Sequence, residues 1–383
     1  MSTANTPGRW SRRAFMQASG ALACTGILAP TRLFAAQAEE ISGRIARTLA
    51  PLKAFVQKYA AAKDVPWLAM HGVRAMGKDF MIDGESAVAF LCRRYLQEKS
   101  VDGHSYLYMP VADEGHANVF LAEAILDTGL GLDYTFSTNN RHYNVADLVA
   151  SARALFVFEP TSMTFNPDDL AWSLLAFAYV TPPDQDEWST VDGKRIRFSD
   201  VVEYAMATCE RANARFAVNM REGVLADAPD AIDNFSCAGT HLVYGLSACV
   251  RFGYSERFLA KRMQEQFDIL IWRLNVETQI AKRYYRQLDG QYPKPLVRMY
   301  LLDALLKFSG HAFETLLSAR THGQLTTTLA QEELMKGTLS ELLDTIDEIV
   351  AMKLEDAELD ESLRRLVIGD ACHAYHALSM MVA

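Results

Sequence analysis

The stretch Asn166-Pro167-Asp168-Asp169-Leu170-Ala171-Trp172-Ser173-Leu174-Leu175-Ala176-Phe177-Ala178-Tyr179-Val180 decides the fold. Its first four residues mark a helix start: a capping asparagine, proline in the first turn and acids where the helix dipole favours them. From Leu170 onward the helix is apolar on every face. In a chain with no membrane span, such a helix is stable only when it is buried on all sides.

Five more helices of this kind follow from the sequence, each with a histidine set among small residues. They carry Met70-His71-Gly72-Val73-Arg74, Glu114-Gly115-His116-Ala117-Asn118, Ala238-Gly239-Thr240-His241, Ser309-Gly310-His311-Ala312 and Ala371-Cys372-His373-Ala374-Tyr375-His376. Between them lie helices with one wet face. Residues 86–97 place Arg93 and Arg94 outward, and residues 257–286 align Leu259, Met263, Phe267, Leu270 and Leu274 on one stripe. Residues 331–354 do the same with Leu339, Leu342, Ile346 and Ile349. Helices are also expected at 40–62, divided or kinked at Pro51, and at 145–156 and 201–220. Only 188–198 reads as a hairpin, turning at Asp192-Gly193; 100–113 reads as a polar loop.

Wet and dry helices thus alternate six times through short connections. An inner ring of dry helices inside an outer ring of wet ones satisfies both kinds, so the expected fold is all-α, an irregular α/α toroid with one short β-hairpin. It forms a single domain over residues 39–383. If the inner helices run parallel, residues in their early turns meet at one mouth. His71, His116, Asp168, Asp169 and His241 are placed there, whereas His311, late in its helix, reads as structural.

The chain carries a net charge of −9, and its first 38 residues hold four arginines and no acid, so the remainder stands at −13. That acidity disfavours phosphate backbones, and no nucleic-acid partner is expected. Two of these arginines are paired in Ser11-Arg12-Arg13-Ala14-Phe15-Met16, which precedes a mildly apolar run and the small-x-small site Ala36-Gln37-Ala38. The segment 1–38 resembles a twin-arginine (Tat) signal peptide. The resemblance implies the Tat translocase as a partner, the periplasm as destination, and export in the folded state, often with a cofactor in place. No later run is long and apolar enough to span a membrane.

Three readings compete for the mouth. The first is acid/base chemistry of lyase or hydrolase type on a polar or anionic small molecule or glycan. His71, His116, His241 and Glu114 would be the catalytic groups, with Arg74, Asn118 and Asp169 orienting the substrate. Asn139-Asn140-Arg141-His142-Tyr143 resembles the Asn-Asn-His…Tyr sequence of alginate-lyase-like toroids, with an arginine inserted. The second is a zinc or copper site built from Cys237, His241, Cys372 and His373. A cysteine on one inner helix and Cys-His on another resembles the zinc rim of lanthionine-cyclase-like and prenyltransferase-like toroids, whose glycine motifs are missing here. Cys237 and Cys372 are equally compatible with a disulfide in an oxidising compartment. The third is a non-enzymatic ligand-binding protein.

Overall fold

The computed structural model describes residues 30–224, 235–288, 290–352, 354–355 and 359–382. Residues 1–29, which carry most of the expected export signal, lie outside the described residues. Six segments form the inner ring: α2 (Pro66–Met76), a π-helical segment (Phe120–Leu126), α5 (Leu170–Val180), α7 (Thr240–Arg251), α9 (Lys294–Thr321) and α11 (Glu361–Ser379). Each packs on the next, and α11 packs on α2, which closes the ring. The outer layer holds α1 (Pro30–Tyr59), α3 (Ala87–Tyr95), α4 (Val145–Ala154), α6 (Phe198–Glu222), α8 (Leu259–Gln287) and α10 (Leu329–Ala351). Of these, α8 lies against α6, α7, α9 and α10, while α1 lies against α10 and α11. The α/α toroid follows from hydrophobic patterning: α5 buries every residue from Leu170 to Ala178, whereas α6 buries one face only.

Several boundaries differ from the reading of the sequence. Four two-stranded hairpins occur among the described residues where one was expected. Three of them, β1–β2 (Met81–Ile82 with Glu85–Ser86), β3–β4 (Gln97–Val101 with His104–Tyr108) and β5–β6 (Thr135–Thr138 with Arg141–Asn144), turn at Asp83-Gly84, Asp102-Gly103 and Asn139-Asn140. Both turn residues have positive φ in each case, the type I′ geometry that matches strand twist. The expected hairpin is β7–β8 (Glu187–Ser189 with Arg195–Arg197), but its loop is longer than the two residues Asp192-Gly193. The α1 helix continues through Pro51 rather than dividing there. The helix expected over 114–126 breaks into a single turn, Val111–Glu114, and the π-helical segment. Gly115 and Asn118 adopt positive φ between the two, and the Glu114 carboxylate accepts the backbone N–H groups of Asn118 and Phe120. No helix among the described residues is long and apolar enough to cross a membrane.

Close approach of the inner helices depends on glycine. A Cβ at Gly245 in α7 would lie 2.3 Å from the main-chain oxygen of Ala171 in α5, a contact that backbone cannot relieve by rotating. On the outer surface, a Cβ at Gly337 in α10 meets nothing. Gly245→Ala is therefore expected to lower stability by about 1–3 kcal/mol, and Gly337→Ala to raise it by about 0.5–1 kcal/mol. Denaturant unfolding of both variants checks this pair; a neutral Gly245→Ala would remove the close α5–α7 contact from the ring.

Candidate active site

The centre of the ring is polar. Arg74 of α2 is buried, and its Nε donates to Glu314 of α9 at 2.9 Å. Its Nη1 donates to Asp127, at the end of the π-helical segment, and its Nε lies 3.8 Å from Glu123. Tyr244 of α7 places its ring 4.6 Å from the guanidinium and donates its hydroxyl to Asp127. Trp172 of α5 donates its indole N–H to Glu123 at 3.0 Å. Glu314 also accepts from His373 Nδ1 at 2.8 Å and His376 Nδ1 at 2.6 Å, both on α11. One network of hydrogen bonds and ion pairs thus takes a member from each of the six inner segments or its immediate end. Burial opposes every charge in it, yet Arg74 and His373 hold the Glu314 carboxyl well below its ordinary range. Burial likewise disfavours a charged His373, but Glu314 outweighs it and raises that imidazole's pKa.

Beside this network the imidazoles gather. His311 and His373 have ring centroids 3.8 Å apart, His241 lies 4.7 Å from His311 and 5.3 Å from His373, and His71 lies 5.1 Å from His373. Burial, followed by the neighbouring His373, lowers the pKa of His71 to about 3 and holds those of His241 and His311 well below the usual value. These three are neutral. His71 and His311 donate Nδ1–H to the carbonyls of Trp67 and Lys307, both at 2.7 Å, which leaves each Nε2 lone pair uncommitted. A carbonyl on one nitrogen and a free lone pair on the other is the arrangement of a metal-ligating histidine. The Nε2 atoms of His241 and His373 are buried without a hydrogen-bond partner.

A ligand atom from each of Cys237, His241 and His311 lies within 4.8 Å of the others. Tetrahedral sites with bonds of about 2.0–2.3 Å have ligand atoms roughly 3.5 Å apart, so a small inward adjustment of side chains suffices. Burial, reinforced by Asp370, raises the Cys237 thiol well above its ordinary pKa. The group borders a cavity of about 260 Å³ whose walls include Trp67, His71, Glu114, His116, Lys307 and Asp370. Cys237 and Ala238 are held at φ 49° and 51°, a conformation costly for residues with a Cβ. Buried Arg273 of α8 secures this turn by donating to the Ala238 carbonyl at 2.9 Å.

At the cavity edge His116 stacks on Trp172 with ring centroids 4.3 Å apart. Its Nδ1 donates to Asp169 at 2.9 Å, and its Nε2 lies 2.9 Å from Ser236 Oγ. The Ser236 backbone N–H and hydroxyl both reach Asp168 Oδ2, at 3.0 and 2.6 Å.

His71, His116, His241 and Glu114 do border one cavity. Burial pushes the Glu114 carboxyl up to about 8, and it serves as the cap described above. The other expectations shift. Arg74, expected to orient substrate, is enclosed by protein carboxylates. The Asn118 amide donates to Ser173, and Asp169 holds His116 rather than standing free. Cys372 is buried outside the Cys237–His241–His311 group, and His373 is tied to Glu314. Cys237 and Cys372 are free thiols, not a disulfide. His311, read as structural, is one of the convergent group. The Asn139–Tyr143 stretch forms β5–β6, outside the cavity walls, and Tyr143 donates to Glu98. Trp188 packs on Phe156 and Phe177 and bonds the Arg153 carbonyl, so its hairpin is anchored in packing. The sequence reading gave no role to Ser236, Glu314, Lys307 or Asp370. Two of these carried a signal: Glu314 stands three residues after His311 and Asp370 three before His373, on shared helix faces.

Comparison with protein-family models, with curated proteins and with solved structures found no match.

The neutral His71 sets a pH dependence. Its folded pKa of about 3 lies below the ordinary 6.5, so between these values the unfolded chain binds more protons than the folded one. Its contribution is complete above pH 6.5 and is lost as pH falls toward 3. In metal-free protein the denaturation midpoint should fall between pH 7 and 4, and His71→Gln should make that fall shallower. Equal slopes in both proteins would contradict a buried neutral His71.

Proposed function

We propose that this protein is an exported, metal-dependent enzyme of hydrolase or lyase type, acting on a small molecule in the central cavity of the toroid. The observation that carries the reading is the convergence of Cys237, His241 and His311 at the wall of that cavity, with His241 Nε2 buried and unpaired. One thiolate and two imidazoles suit zinc or copper. Three protein ligands beside open space fit a catalytic site better than a structural one, which takes four. A bound ion would supply Lewis-acid chemistry and a more acidic water. The chain's own residues supply the rest: His116, fixed by Asp169, moves protons at Nε2, while Lys307 places a cation in the cavity wall beside Asp370, whose carboxyl burial pushes up to about 8. The Cys237 thiol must lose its proton on metal binding, so affinity should rise with pH. The Tat-like segment supports export to the periplasm with the ion already in place.

Elemental analysis of the purified full-length protein after zinc loading and gel filtration tests this. About one equivalent of metal is expected in the wild type, and less than a tenth of that in Cys237→Ser and in His241→Ala. Cys372→Ser should retain it. Metal-free wild type, or a Cys237→Ser protein that still holds a full equivalent, would overturn the assignment.

A further inference from the structure

Ser236, His116 and Asp169 come from three separate places in the chain. They meet as hydroxyl, imidazole and carboxylate in the order Oγ–Nε2, Nδ1–Oδ1, with both links at 2.9 Å. That is the geometry of a nucleophile, its base and the group that orients the base. The imidazole is restrained from a third direction by stacking on Trp172. Ser236 itself sits where the chain enters the left-handed residues Cys237, Ala238 and Gly239, a tight turn that presents the hydroxyl to the cavity. Strain of this kind next to a half-buried hydroxyl that lines a cavity points toward use rather than packing. The single hydroxyl proton has two acceptors. Asp168 Oδ2 at 2.6 Å holds it at rest, and rotation about the serine side chain directs it to His116 Nε2.

A second and larger cavity, of about 640 Å³, shares Glu114 with the first and has Asp169, the partner of His116, in its wall. Its walls are chiefly apolar, with Leu107, Met109, Phe120, Leu148, Phe156 and Leu170 among them. A substrate whose reacting group lies at Ser236 would extend its remaining bulk into this chamber, where removal of apolar surface from water favours a hydrocarbon chain over a sugar.

We propose that Ser236, His116 and Asp169 form a nucleophilic site for carboxylic esters carrying a medium-length hydrophobic acyl chain. Ser236 Oγ forms a bond to the acyl carbon as its proton passes to His116 Nε2. The bond from that carbon to the leaving alcohol breaks, and the alcohol takes the proton. Water then attacks the acyl carbon and gives a proton to His116, and Ser236 leaves with that proton restored. Ester and water become acid and alcohol. This inference names a substrate class for the same cavity but rests on residues other than the proposed metal ligands.

The test is covalent labelling of the full-length protein by an alkyl fluorophosphonate, with and without chelator, read by intact mass and peptide mapping. One adduct on Ser236 is expected in wild type, none in Ser236→Ala, and labelling slowed at least 100-fold in His116→Asn and Asp169→Asn. With circular dichroism matching wild type, those two variants separate loss of chemistry from loss of fold. Hydrolysis of p-nitrophenyl octanoate should exceed that of the acetate at least 10-fold in kcat/KM. Absence of an adduct on wild-type Ser236, or an adduct on another residue, overturns the proposal even if metal is bound at Cys237. A Ser236 adduct on protein that retains no zinc after loading upholds it while the metal assignment fails.

Discussion

The ion pair between Arg74 and Glu314 is the constraint on which the centre of the molecule depends. Both groups are buried, and neither is stable there alone: removal of one partner from a buried pair costs about 3–5 kcal/mol. Each therefore gathers further partners. Arg74 draws Asp127 and Glu123 from the π-helical segment, and Glu314 draws His373 and His376 from α11. Tyr244 and Trp172 extend the set to α7 and α5. Apolar contact between helices is non-directional and does little to fix their register. Directional bonds at the centre of the ring supply that. The placement of His241, His311 and His71 is a consequence, since they pack on the His373 that Glu314 orients.

Charge is distributed unevenly as a result. Three carboxylates face one guanidinium, and the excess raises the pKa of His373 through Glu314, while burial lowers those of His71, His241 and His311 and leaves them lone pairs to offer. A buried site with surplus negative charge on one side and neutral nitrogen and sulfur donors on the other suits a cation. The mouth differs in kind: His116, Asp169 and Ser236 are hydrogen-bonded in series, next to an apolar chamber. Metal-type ligands and a serine-type relay are thus adjacent in the chain, at Cys237 and Ser236, and share one strained turn.

The architecture was legible because burial follows from periodicity. A run such as Leu170–Val180 has no wet face, so an inner ring was the economical arrangement. Three hairpins escaped notice although their Asp-Gly and Asn-Asn turns were visible, because strands such as Gln97–Val101 are polar and lack the alternation that signals a buried face. His311 was misplaced by equating lateness in a helix with distance from the site. The α9 helix begins at Lys294, well before His311, so position within a helix did not report position along the ring axis. Arg74 looked like a substrate hook because nothing local shows that carboxylates 49, 53 and 240 residues away will enclose it. Ser236 was invisible for a similar reason, since its value lies entirely in partners 68 and 120 residues distant.

Nitrogen-detected NMR of the full-length protein labelled with ¹⁵N in its histidine rings reads the central arrangement most directly. Long-range proton–nitrogen correlations in metal-free protein near neutral pH should show His71 and His311 as neutral Nδ1–H tautomers with unprotonated Nε2, and His373 as the imidazole that retains charge to higher pH. Rings at those positions in the Nε2–H tautomer, titrating together near the ordinary histidine value, would mean that the imidazoles are not held around Glu314 at all.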